Sequence, residues 1–583
     1  MSFVSRRNFI VQTGCTLAAP FLNLKESSGE TPSPDIIYFN GKIVTVDSAF
    51  SIAQAVAIRG DRFLAVGSNA DILNLAGRNT QKIDLEGCTV LPGLIEAHAH
   101  PESASLSETD YPLPNPVTVD ECLTWIKMRA AQIPDGEWII HPKLFPTRLN
   151  EMRSPTLKEL DAVAPNNPVF LNAAYGGMIN SAAMQVSGIT PNTEHSGLLR
   201  DPQTGKLTGI ILVTALGLLK RPAVKNYSVQ ERAEALEKMF YLYNKVGFTG
   251  VTSGGWQIKN LDLYHYMRNN QMLTLRVFAN IWVNFPFKDN SPEEIKHSIE
   301  TLGCKTSDGD EWIKIGRLKT TIDGGILTGT AYLREPWGEK AGEVYGIDDP
   351  DYRGIVQMTP DEFANLVRPA AEAEWSMTAH CTGGGGVDLM LDAYEKVNDT
   401  DDVSSLRFSI IHGNFYTPEA MTRAKRFNVI ADMQPAWFYK DADAMLYILG
   451  KERIKTFHPY RSLFKAGVVV SAGSDHMIIL DDKDSINPYS PWLAMWSMIT
   501  RKTQRGATIV PEEAITREQA LRCYTINNAY ASFEENSKGS VETGKYADMV
   551  VIDRDFLKCP EDVIKDIQVK MTMVGGEVVY GGL

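Results

Sequence analysis

Apolar and polar positions alternate quickly at the two ends of the chain and in longer cycles through its middle. Near the start, Ile36-Ile37-Tyr38-Phe39, Lys42-Ile43-Val44-Thr45-Val46, Ala55-Val56-Ala57-Ile58 and Phe63-Leu64-Ala65-Val66 are separated by Gly41, Gly60-Asp61 and Gly67-Ser68. Short β-favouring runs between turn residues predict strands joined by tight turns. The last residues repeat the texture with Asp548–Ile552, Val569–Val574 and Glu577–Tyr580, and Gly575-Gly576 between the final two runs is a hairpin signal. Two β-rich ends around a long middle predict one β-sandwich domain built from both, with residues 34–91 as its N-terminal part and 537–583 as its C-terminal part.

The middle carries eight short apolar runs, most of them separated by helix-like stretches. They lie near Val90–His98, Phe248–Ser253, Leu275–Val283, Arg317–Ile322, Ser376–His380, Arg407–His412, Val429–Pro435 and Val468–Ser474. Apolar runs of that length suit parallel strands buried on both faces. Eight such units predict the α/β class and a (β/α)8 TIM barrel over residues 92–536. The gap after the first run is too long for one βα unit. It holds Pro168-Val169-Phe170-Leu171 and the helical Val229–Lys245, so residues 101–245 are expected to form a large insertion that roofs the active face.

The first 33 residues change the picture of location. Ser5-Arg6-Arg7-Asn8-Phe9-Ile10 precedes the uncharged run Val11–Leu24, and a polar linker follows from Lys25 to Pro34. This predicts a twin-arginine export signal and a periplasmic protein; the competing reading is a basic tail on a cytoplasmic one. Gly14-Cys15 hints at a lipoprotein site, although Gln12 stands where an aliphatic residue is wanted. No other stretch is long and apolar enough to span a bilayer.

Composition excludes more than it assigns. With 58 basic and 71 acidic residues the net charge is −13, and no basic cluster points to nucleic acid. The 7 cysteines show no CxxC pair, which argues against a disulfide framework or a cysteine zinc knuckle. A small-molecule substrate is expected, and a homo-oligomer stays open.

The candidate chemistry sits at the strand ends. His98-Ala99-His100 closes the first barrel run, and alternate strand residues point the same way, so two imidazoles converge on one point, as a metal such as zinc requires. His380 ends Met377–His380, His412 ends Phe408–His412, and Asp475 ends Val468–Asp475. Polar residues there pack badly but are well placed for a site, because barrel enzymes react at the C-terminal face of their strands. Lys319 falls where the fourth strand should end. As a cation it would repel metal ions, and its bland reading is an ion pair with a carboxylate such as Asp323.

In its motifs and their order, the chain resembles the amidohydrolase superfamily, in the family 3 branch that includes N-substituted formamide deformylases. The likeness is carried by Pro92-Gly93-Leu94-Ile95-Glu96-Ala97-His98-Ala99-His100, by Lys319 with Asp323-Gly324 and Thr328-Gly329-Thr330-Ala331, by His380, His412, Gln434-Pro435 and Gly473-Ser474-Asp475, and by the tail Gly539–Asp548. It implies two divalent metal ions, zinc first among them. His98, His100 and Asp475 would hold one and His380 and His412 the other, bridged by a carbamylated Lys319. It further implies hydrolysis of a C–N bond (amide, N-formyl or cyclic amide) by a hydroxide shared between the metals, with Asp475 as general base. The alternatives are a mononuclear deaminase-like enzyme, an ester or lactone hydrolase, an isomerase or decarboxylase on the same scaffold, or a non-catalytic exported binding protein.

Three departures from that pattern bear on the substrate. His380 leads into Cys381-Thr382-Gly383-Gly384-Gly385-Gly386, relatives often have a histidine near Tyr175, and His476 follows the aspartate where a smaller residue is usual. The glycine run lacks the GK[ST] ending of a phosphate loop and is expected to be a flexible βα loop. Trp437, Phe438 and Tyr439 either wall an apolar pocket or pack a lid.

Overall fold

The computed structural model describes residues 33–583 apart from 224, 284–290, 348 and 401. The expected export signal lies outside the described residues. Among those described, no helix is long and apolar enough to cross a membrane.

Eight parallel strands form the central sheet: β1 (Leu94–Ala99), β2 (Phe248–Trp256), β3 (Arg276–Trp282), β4 (Ile313–Thr321), β5 (Met377–Cys381), β6 (Ser409–His412), β7 (Ile430–Met433) and β8 (Val470–Ala472). Each pairs with the next in sequence order. The ring closes beyond β8, where the Asp475 N–H donates to the His98 carbonyl at 2.7 Å and the His100 N–H donates to the His476 carbonyl at 2.7 Å. The strands are almost wholly buried, because helices cover their outer faces and side chains fill the interior. This is the expected TIM barrel.

The first apolar run divides where the sequence read it as one. Thr89–Pro92 belongs to another sheet, opposite Met549–Ile552 with Leu91 facing Val550, and β1 begins only at Leu94. Gly93 makes the junction: a Cβ there would lie 2.3 Å from the Thr249 hydroxyl oxygen. Periodicity cannot see this break, since both halves are buried.

The other sheet has six strands drawn from both ends of the chain. It faces a four-stranded sheet of Arg62–Gly67, Ala55–Arg59, Ile36–Phe39 and Gln81–Asp84. Tyr38, Val56, Phe63, Val90, Met549 and Met571 share one core between the two sheets. Gly575 and Gly576, at φ 57° and 82°, turn the final hairpin, where a side chain would be strained. This body docks at the bottom of the barrel. Arg276, the first residue of β3, donates to Asp548 at 2.8 and 3.0 Å with both side chains buried. The Gly539–Asp548 tail is therefore structural.

Between β1 and β2 lies a five-stranded sheet of Ile139–His141, Val169–Asn172, Gly176–Ile179, Leu198–Arg200 and Leu207–Leu212. The helix Val229–Lys245 that follows is set by a Ser228/Glu231 capping box. It buries Ala233, Leu236, Phe240 and Tyr243 in the same core as Leu94, Phe248 and Val251, and so acts as the barrel's crossover into β2.

Candidate metal centre

All six residues singled out at the strand ends, His98, His100, Lys319, His380, His412 and Asp475, line one cavity of about 350 Å³ at the C-terminal face of the barrel. His98 is fully buried on β1 and His100 stands just beyond it with its side chain 32% exposed. Their rings lie 5.2 Å apart, edge to face. Asp475 reaches back from beyond β8, its Oδ1 3.5 Å from His98 Nε2 and 3.4 Å from His100 Nε2. The ligand atoms of these three residues all fall within 4.8 Å of one another. Lys319 on β4 places its Nζ 3.2 Å from His98 Nε2. The His380 and His412 rings are 4.6 Å apart, and His412 lies 5.7 Å from His98.

The backbone is strained where it delivers two of these groups. His412 and Asp475 have φ of 75° and 55°, in the left-handed region that side chains avoid. Such strain costs on the order of 1–3 kcal/mol per residue and gathers at functional sites.

Hydrogen bonds set which ring nitrogens remain free. His412 Nδ1 is 2.7 Å from Gln434 Oε1, an acceptor, so Nδ1 carries the proton and Nε2 offers a lone pair. The Gln434 amide donates onward to Asp432 Oδ1 at 3.1 Å. His380 Nε2 donates to the Gly324 carbonyl at 3.0 Å, which leaves its Nδ1 free. Partners of this kind orient metal-binding imidazoles. Glu96 ties the rim together by accepting from the His98 N–H at 2.9 Å and the Ser474 N–H at 2.8 Å. Burial pushes its carboxyl up to about 8.

The electrostatics favour neutral imidazoles. Burial, and then the Lys319 charge, hold His98 well below the ordinary histidine range; burial does the same to His412 and takes His380 down to about 4. Burial also lowers Lys319 to about 8. Burial acts to raise Asp475, but the His100 hydrogen bond and the electrostatic influence of His412, His100 and Lys319 outweigh it and hold its carboxyl below the usual range.

The bland reading of Lys319 finds no support. Asp323 spends its oxygens on the backbone N–H groups of Tyr332, Thr382 and Gly383, and Lys319 has no carboxylate partner among the described residues. The Gly383–Gly386 run is a correction: it is no flexible loop but the buried start of helix Gly384–Asn398. A Cβ at Gly383 would lie 2.0 Å from the Tyr332 carbonyl oxygen, so close packing demands glycine there. His476 is structural, bonded to the Tyr243 hydroxyl at 2.9 Å and the Ile479 carbonyl at 2.7 Å. Of the aromatic trio, Trp437 walls the cavity, stacked 4.4 Å from His412. Phe438 instead packs under Arg501, 3.7 Å away, and Tyr439 meets Trp496 edge-on.

Of the lining residues that escaped the sequence reading as site residues, three bear on the candidate ligands. Tyr175 lies 5.2 Å from the His380 ring. The Asn487 amide donates to the Asp475 carbonyl at 2.7 Å. Lys143 enters from the inserted sheet. Tyr175 had a signal, since it stands where relatives often carry a histidine. The other two sit in segments without a strand-end pattern.

A TIM barrel with four imidazoles, a lysine and an aspartate converging on its C-terminal rim defines a barrel hydrolase. A model of the amidohydrolase family matches residues 81–580, and the chain belongs to that family. It is similar to the N-substituted formamide deformylase of Arthrobacter pascens, at 30% identity over 566 residues that span 94% of this chain and 99% of that one. YtcJ of Bacillus subtilis, named as an amidohydrolase, is 25% identical across 93% of this chain and 99% of its own. Among solved structures, a metal-dependent hydrolase from Pyrococcus furiosus shares the fold with a TM-score of 0.63 and 23% identity, over 90% of this chain and 100% of that one.

Proposed function

We propose that the chain is a two-metal hydrolase that cleaves a C–N bond (amide, N-formyl or cyclic amide) in a small molecule. The observation that carries this is the convergence of imidazole nitrogens with free lone pairs and one ionised carboxylate on a single cavity. The donor set fits divalent metal, and its mix of imidazole and carboxylate fits zinc. His98, His100 and Asp475 would hold one ion and His380 and His412 the other, with Lys319 as a bridging carbamate. When bound, the ions supply Lewis acidity at the scissile carbonyl and make water nucleophilic near neutral pH.

The chain's own residues do the rest. Asp475, ionised and held by Asn487 and His100, takes the proton of the attacking water at a carboxylate oxygen and passes it to the leaving nitrogen. Gln434 and the Gly324 carbonyl fix the tautomers and aim of His412 and His380, while burial keeps both rings neutral. Residues following strands of the inserted sheet, with Trp437, line the site. The Arthrobacter relative supports the C–N reading, since its name specifies removal of a formyl group from a substituted nitrogen. Residues 34–91 and 537–583 act as the accompanying sandwich, and Arg6-Arg7 would direct export to the periplasm.

The test loads the protein with zinc in bicarbonate, counts metal by elemental analysis and assays N-formyl, N-acyl, cyclic amide and lactone panels. Close to two ions per chain and C–N hydrolysis are expected. Asp475→Asn should lower turnover by about 10²–10⁴-fold, the range of a lost general base. One ion or none, or near-normal turnover in Asp475→Asn, refutes the reading.

A further inference from the structure

Lys143 stands out among the groups the proposed chemistry does not use. It follows the strand Ile139–His141 in the inserted sheet and lines the metal cavity from above the barrel. Its amine makes no hydrogen bond or ion pair among the described residues. It is near enough for its charge to act on Asp475, His100 and His380. A half-buried ammonium with no partner is unfavourable on its own, and a ligand anion would offset that cost.

A second donor lines the same cavity. The Leu144 N–H donates to the Asn172 carbonyl at 2.7 Å, which sets the chain at Lys143 alongside Asn172. The Asn172 side-chain oxygen is taken by the Ala174 N–H at 2.9 Å. Its NH₂ has no partner among the described residues and borders the same cavity. An ammonium and an amide NH₂, both unpartnered among the described residues and lining one cavity, are the kinds of donor a carboxylate accepts from. Around them the wall is apolar, with Phe145, Tyr175, Trp282 and Trp437.

We propose that Lys143 and Asn172 bind a carboxylate of the substrate, so that the enzyme acts on N-acyl or N-formyl compounds that carry both a carboxylate and an apolar side group, as an acylated aromatic amino acid does. Lys143 is then a specificity-determining residue supplied by the insertion. This rests on the hydrolase reading above for the bond that breaks, but not for the anion that binds.

The test compares N-formylphenylalanine with N-formylphenethylamine, which lacks only the carboxylate. The readout is the ratio of their kcat/KM values, together with calorimetric binding of 3-phenylpropionate. The wild type should favour the acid by at least about 10-fold. Lys143→Met should cut that preference by about 10-fold or more, the scale of a lost charge-assisted hydrogen bond, and Lys143→Arg should keep most of it. Lys143→Gln serves if the methionine variant fails to fold. A wild type that prefers the neutral compound, or Lys143→Met lowering both rates equally, overturns the proposal; the second result would make Lys143 a general electrostatic or shaping group. If neither compound is hydrolysed, the proposed substrate class fails, and the metal count and wider panel above test the hydrolase reading separately. Phenylpropionate binding then decides: loss in Lys143→Met supports the anion site, and equal binding overturns it.

Discussion

Lys319 offers the sharpest test of the proposed metal centre, because the structure puts a basic side chain where the proposed bridge needs an anion. Its Nζ lies 3.2 Å from His98 Nε2. A zinc–imidazole bond is about 2.1 Å, so a metal on His98 Nε2 lies no more than about 5 Å from that amine. With an effective dielectric constant of about 20, an ammonium and a divalent ion at that distance repel by about 6 kcal/mol. That is between roughly four and five powers of ten in affinity. Carbamylation replaces the repulsion with an attraction and adds a donor. Three states should therefore rank in order when metal-free protein is titrated with zinc and bound metal is measured. Wild type with bicarbonate should bind tightest. Lys319→Met, which neither donates nor repels, should be weaker. Lys319→Arg, a permanent cation that cannot become a carbamate, should be weakest. Wild type stripped of carbon dioxide should fall below the bicarbonate-loaded protein but stay above the arginine variant, because Lys319, lowered to about 8, sheds its proton near neutral pH. If all four bind zinc with equal affinity, Lys319 neither bridges nor repels metal, and the binuclear assignment built on it is wrong.

Two further outcomes test the roof and the leader. Arg148, in the insertion, donates to Asp441 at 2.9 and 2.8 Å and to Asn487 at 3.1 Å, with both charged side chains nearly inaccessible. Arg148→Met strands a buried carboxylate and should cost about 3–5 kcal/mol in urea unfolding; a loss under about 1 kcal/mol would show that the pair is not desolvated as described. Changing Arg6 and Arg7 together to lysine should hold the protein in the cytoplasm on cell fractionation, and unchanged export would refute the twin-arginine reading.

The barrel was legible because its strands are buried on both faces and so stand out as apolar runs. All eight runs overlap a barrel strand, and four of them contain it whole. The candidate ligands were legible for a related reason: a histidine or aspartate that ends an otherwise apolar strand conflicts with packing and points to the active face. Alternation along β1 even set His98 and His100 on one side.

Tertiary structure decided what depends on close approach. Nothing in the periodicity separates Thr89–Pro92 from β1, because a strand of either sheet is buried; the Thr249 side chain against Gly93 makes the break. The Gly383–Gly386 run has the composition of a flexible loop, and only the Tyr332 carbonyl against Gly383 shows that it is a packed helix start. Lys143 and Asn487 belong to segments far apart in the chain, and only folding brings both to the cavity that Asp475 lines. Sequence by itself determined the barrel elements and the candidate ligand residues, since these depend on local periodicity and residue type. The substrate-facing wall was decided by the fold, because its residues come from loops and an insertion whose positions no local pattern records.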